Sequence, residues 1–172
     1  MAPPSLPWRV PGLPRGAPHH RARENVALLV VRVVLAWIFI YYGGGKLFGW
    51  FNGPGIHRTS LFMATVAHLR PGGFFAVLGG VIELGGGCLV GLGLGARLGA
   101  LALLGDQVMA IITVTGANGI NSLSNHPGYE FNVTLLTLAA VIAVFGAGRL
   151  SVDATVDHRR TRASAPLSAP RP

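Results

Sequence analysis

Apolar residues along this chain fall into four blocks, each close to the roughly 20 residues of helix needed to cross the hydrocarbon of a bilayer. The first, NVALLVVRVVLAWIFIYYGGGKLFGW, predicts a helix over 25–50, with Trp37, Tyr41, Tyr42 and Trp50 as interfacial anchor candidates toward its far end. Asn52-Gly53-Pro54-Gly55 is a turn signal. The stretch after it, HRTSLFMATVAHLRP, has mixed polarity and predicts a short helix lying at the interface. Three more blocks predict crossings over 73–94, 98–117 and 131–150. Gly95-Ala96-Arg97 turns the chain between the first two of these, and the loop NGINSLSNHPGYE precedes the last. The expected fold class is all-α: a four-transmembrane-helix bundle with a short interfacial segment between helices 1 and 2. Residues 1–24 and 154–172, basic and rich in Pro or Ser, are expected to be disordered tails around a membrane domain over 25–153.

A cleaved signal peptide is the competing reading of the first block. The apolar run from Val26 to Tyr42 exceeds a usual signal core, continues into membrane-compatible sequence and shows no clean small-residue cleavage site. An uncleaved first helix is therefore expected.

Composition agrees with the pattern. Hydrophobic residues make up 51% of the chain and charged residues 12%, against about 25% charged in soluble domains. The net charge of +8 raises nucleic-acid binding as a question, and its distribution excludes that class. Arg9, Arg15, Arg21 and Arg23 precede the first apolar block, and Arg159, Arg160, Arg162 and Arg171 follow the last. Such clusters hold cytoplasmic ends in place. With Arg97 on the same side, and only Arg58 and Arg70 in the opposite loops, both termini are expected in the cytoplasm.

Glycine recurs at four-residue spacing at Gly87 and Gly91, with Gly95 and Gly99 flanking the turn. On a membrane helix this makes a flat groove for a close neighbour, within the bundle or in a homodimer. Cys88 is the only cysteine, so the chain holds no internal disulfide and no CxxC pair.

The informative positions are ionisable groups at membrane depth, where lipid exposure is costly and a polar interior site is implied. Arg32 and Lys46 lie in the first helix, Glu83 in the second crossing and Asp106 in the third. Helical geometry puts Arg32 and Lys46 within roughly 40° on one face and about 21 Å apart. Arg32–Glu83 is the preferred pair, and Lys46 is expected to meet Glu130 or water at the outer rim. Arg149 marks the far end of the fourth crossing. His57, His68, His126 and Glu130 are outer-rim candidates, His57 and His68 sharing roughly one face if their segment is helical. No histidine pair has HxxxH or HExxH spacing, so no metal site is expected. Nor does a phosphate loop or nucleophile motif occur, so catalysis would need a partner or a lipid-soluble substrate.

The runs RVVLAWIFIYYGGGKLFGWF, GGVIELGGGCLVGLGLGAR and GAGRLSVD, spread over Val26 to Asp153, resemble the DoxX family of small bacterial membrane proteins. That resemblance implies a four-helix, multi-pass protein of the bacterial inner membrane, and it carries over Arg32, Lys46 and Glu83. It also implies association with redox or oxidative-stress complexes, some of them quinone-linked. The expected function is thus a membrane subunit or accessory of such a complex, with no cofactor in the chain itself and quinone as candidate ligand. Two other readings stand beside it: a structural or assembly protein without catalysis, and a small-solute or proton-coupled transporter acting as a dimer.

Overall fold

The structure is a computed structural model that describes residues 18–121 and 127–155. It is all-helical among these residues. The helices are α1 (Pro18–Phe48), α2 (Gly55–Thr65), α3 (Gly72–Leu92), α4 (Ala96–Ala110) and α5 (Glu130–Phe145). A π turn, Ile111–Thr115, and a 3-10 turn, Gly116–Asn118, extend α4. Three stretches are long and apolar enough to cross a membrane: Ala22–Phe48, Gly72–Leu92 and Ala96–Asn118. The fourth apolar helix, α5, has 16 residues, about 24 Å at 1.5 Å per residue.

Helix ends differ from the apolar blocks for local reasons. α1 is already helical at Pro18, the first described residue, because His19 to Glu24 contain no breaker. α5 stops at Phe145 rather than continuing to 150, because Gly146 and Gly148 take φ +79° and +71°, a conformation open chiefly to glycine. α2 is the short helix expected after the first crossing.

α3 is the central element, with α1, α2 and α4 packed on it and α5 packed on α4. Leu35 and Phe39 of α1, Val90 of α3, Ala100 and Leu103 of α4, and Leu135, Ala139 and Ile142 of α5 form the buried core. Val33, Trp37, Leu98, Ile112 and Val144 face outward, as lipid-facing positions of a membrane bundle do. α1 and α3 come nearest at Gly43, where a Cβ would sit 2.5 Å from Leu84 N and 2.9 Å from Gly80 O. Gly87 and Gly91 face α1 of the same chain, against Phe39 and Ala36.

One end of the bundle is tied by Arg32. Its side chain is 1% exposed. It donates to four carbonyls: Val90 (2.8 Å) and Gly91 (2.7 Å) at the end of α3, and Ala147 (2.9 Å) and Leu150 (2.8 Å) beyond α5. The last four carbonyls of a helix lack intrahelical donors and carry partial negative charge, so an arginine fork there meets both needs. Asp153 completes the junction. Its carboxylate accepts from Gly95 N at 3.1 and 3.0 Å ahead of α4, and its own N–H donates to Gly93 O at 3.1 Å. Asn25 Oδ1 accepts from Arg149 N at 2.9 Å at the same end.

Arg32→Met strips the fork from these carbonyls and should cost about 3–5 kcal/mol, the range for breaking a buried charged network. Arg32→Lys keeps the charge but cannot fork across two segments, and should recover less than half of that loss. Thermal unfolding in detergent, followed by size-exclusion, checks both; equal stability of Arg32→Met and wild type would refute the clamp.

Candidate functional site

The second polar locus lies at the other end of the bundle. Close packing of Gly43 on Leu84 and Gly80 sets the register of α1 against α3. It puts Glu83 beside the C-terminal half of α1, about 16 Å along that helix from Arg32 at 1.5 Å per residue. The expected Arg32–Glu83 pair therefore does not form. Glu83 instead accepts from Lys46, with Nζ–Oε1 at 2.6 Å. Lys46 accordingly meets Glu83 where Glu130 or water was expected.

Burial of this pair is uneven, with side-chain exposures of 25% for Lys46 and 6% for Glu83. Glu83 Oε2 is buried, and no hydrogen-bond donor reaches it among the described residues. Asp106 of α4 stands within electrostatic range of both Lys46 and Glu83. Gly79, one turn before Glu83 on α3, faces Asp106: a Cβ there would sit 3.8 Å from Asp106 Oδ1, in ordinary contact.

From Asp106 a chain of polar side chains crosses to α5. Gln107 Nε2 donates to Asp106 Oδ2 at 3.0 Å, and Asn132 Nδ2 donates to Gln107 Oε1 at 2.9 Å. Thr115 Oγ1, in the π turn, donates to Asn132 Oδ1 at 3.1 Å. Reading the ionisable groups alone missed Gln107, Thr115 and Asn132. Their signal was present: each is an amide or hydroxyl inside an apolar stretch, where a polar group needs a partner.

These groups border a cavity of 1010 Å³ that α1, α2, α3, α4 and α5 all line. Lys46, Glu83, Asp106, Gln107 and Asn132 form its polar part. Its walls are mainly apolar and rich in aromatic side chains, among them Phe39, Tyr42, Phe62, Phe75 and Phe131. Arg58 and Thr59 come from α2. A large apolar cavity with a few convergent polar groups is the usual form of a small-molecule site.

Other sequence candidates lie apart from the cluster. His57 is exposed on α2. His68 is exposed beyond the end of that helix, at φ +56°, so the two histidines do not share a helix face. Glu130 opens α5, where an acidic side chain complements the helix dipole. His126 lies outside the described residues. No group of three metal-ligating side chains occurs among the described residues.

An all-helical bundle with membrane-length apolar helices and charged groups turned inward defines an integral membrane protein. The chain belongs to the DoxX family, whose model matches residues 27–116. That span takes in Arg32, Lys46, Glu83 and Asp106. No curated protein and no solved structure matches the chain.

The ion pair makes an asymmetric demand. Lys46→Met leaves the Glu83 carboxylate buried without its cation and should destabilise the bundle by about 3–5 kcal/mol. The double variant Lys46→Met, Glu83→Leu removes both charges and should regain most of that loss. Thermal melts of the single and double variants in one detergent decide it; a double variant no more stable than the single would show that the pair is not the coupled unit.

Proposed function

We propose that this DoxX-family protein is a membrane subunit or accessory of a bacterial redox or oxidative-stress complex. In this reading the cavity binds a lipid-soluble carrier, with quinone the leading candidate. The observation that carries the proposal is the placement of Lys46, Glu83 and Asp106 on an apolar, aromatic-walled cavity large enough for a drug-sized molecule. Lys46 offers ammonium hydrogens to a carbonyl oxygen, and the carboxyl groups of Glu83 and Asp106 offer acceptors to a hydroxyl. Such a floor accommodates a carrier that alternates between carbonyl and hydroxyl forms. Arg32 has no part in this binding, since its fork is committed to main-chain carbonyls.

In the same reading the protein lies in the inner membrane with both termini cytoplasmic. Support comes from the end tied by Arg32, which gathers Arg97 and Arg149, and from the arginine clusters that flank the apolar blocks in sequence. The cavity then opens toward the outer half of the bilayer.

Two measurements test this reading. Purification from the native membrane in mild detergent, followed by mass spectrometry of proteins and small molecules, should recover a stoichiometric oxidoreductase subunit or a quinone. Glu83→Gln should lose the small molecule while remaining folded. A preparation carrying neither would sink the proposal. For topology, a cysteine at Asn118 in a Cys88→Ser background should react with an impermeant maleimide in intact spheroplasts, and one at Arg97 should not; the reverse pattern would invert the orientation.

A further inference from the structure

The polar floor of the cavity gathers two carboxyl groups around one ammonium, and this says which form of ligand fits it. Lys46 Nζ already donates to Glu83 Oε1 at 2.6 Å. Among the described residues Glu83 Oε2 is buried with no N–H donor, and Asp106, which accepts from Gln107, lies within hydrogen-bonding reach of the Glu83 carboxyl. Two carboxyl groups therefore share one ammonium. Leaving a buried acceptor unmatched costs more than an average hydrogen bond gains, so a ligand that supplies a donor is favoured over one that supplies another acceptor.

Charge narrows the choice of donor. An ammonium ligand placed at Glu83 Oε2 would sit beside Lys46, and Arg58 lines the same cavity. Like charges at such separations repel strongly where water is excluded. A neutral O–H has no such penalty. The aromatic wall favours a flat ring edge-on or offset against Phe39, Tyr42, Phe62 and Phe131. We infer that the cavity selects a neutral amphiphile with an aromatic hydroxyl head, the O–H donating to the Glu83–Asp106 carboxyl pair. For a redox carrier this means the reduced, hydroxyl form is held more tightly than the oxidised, carbonyl form. The inference rests on the cavity being a ligand site, as proposed above.

The test uses 4-nonylphenol and 4-nonylanisole, which share ring and tail and differ in the O–H that the methyl ether lacks. Binding to the full-length protein in lipid nanodiscs is measured by equilibrium co-purification, with empty nanodiscs correcting for partition into lipid. The phenol should bind at least about tenfold more tightly than the ether, the worth of one hydrogen bond to a charged acceptor. Glu83→Gln, which replaces an acceptor oxygen with an N–H₂ donor, should bring the ratio down to within about twofold. If wild type binds phenol and ether equally, the donor selection is overturned while the ligand cavity stands; the two carboxyl groups then satisfy one another. If neither probe binds above the empty-disc level, the ligand-site reading itself fails and this inference with it. The wild-type ratio decides the matter even if Glu83→Gln does not fold.

Discussion

Hydrocarbon offers no hydrogen bonds, so every polar group that enters the bundle must find its partner inside the protein. Arg32 shows how far that constraint organises the chain. Buried in α1, its guanidinium needs acceptors. The end of α3 supplies carbonyls that need donors, as does the irregular segment after α5. One side chain thereby satisfies two segments far apart in sequence and draws the bundle's ends together. Asp153 answers the complementary need, accepting from the backbone ahead of α4 while its own N–H caps the end of α3. The cluster around Lys46 obeys the same rule less completely. Among the described residues it retains a buried carboxylate oxygen with no N–H donor, beside a second carboxyl group and a cavity. A structural junction closes its ledger of partners; this one stays open on the side where a molecule can enter.

Glycine sets where these two loci lie. The contact of Gly43 with Leu84 and Gly80 slides α1 along α3 until Lys46, rather than Arg32, reaches Glu83. The Gly43 contact thus determines the chemistry of the cavity without contributing a side chain to it. Small residues in such positions act through distance: they let two backbones approach, and the charged side chains take whatever partners that approach presents.

Much of the architecture was legible in the apolar blocks, because bilayer thickness imposes a length on each crossing. The short α2 was legible as well, from its mixed polarity between turn signals. Helix ends were less so: Gly146 and Gly148 end α5 through backbone conformation that hydropathy does not register. Arg32, Lys46, Glu83 and Asp106 stand out in sequence as charges at depth, yet their pairing depends on the sliding register of two helices. A shift of about four turns exchanges Arg32 for Lys46 as the partner of Glu83. The chain through Gln107, Asn132 and Thr115 is harder to read, since neutral amides attract less notice than charges. The cavity is a property of packing among five helices and leaves no local mark.

Arg32 also has a consequence for how the protein is made. Its helix leaves the ribosome well before two of its four acceptors, Ala147 and Leu150, which lie 115 and 118 residues further on. Until those residues are synthesised, the guanidinium in α1 has no complete set of partners in the membrane. The nascent helix must meanwhile keep that group near water, at an interface or beside the insertion machinery. A chain truncated before residue 147 lacks two of the four acceptors and leaves the guanidinium short of partners. Arg32 therefore reports on completeness: the first helix settles fully only when the last part of the domain has arrived.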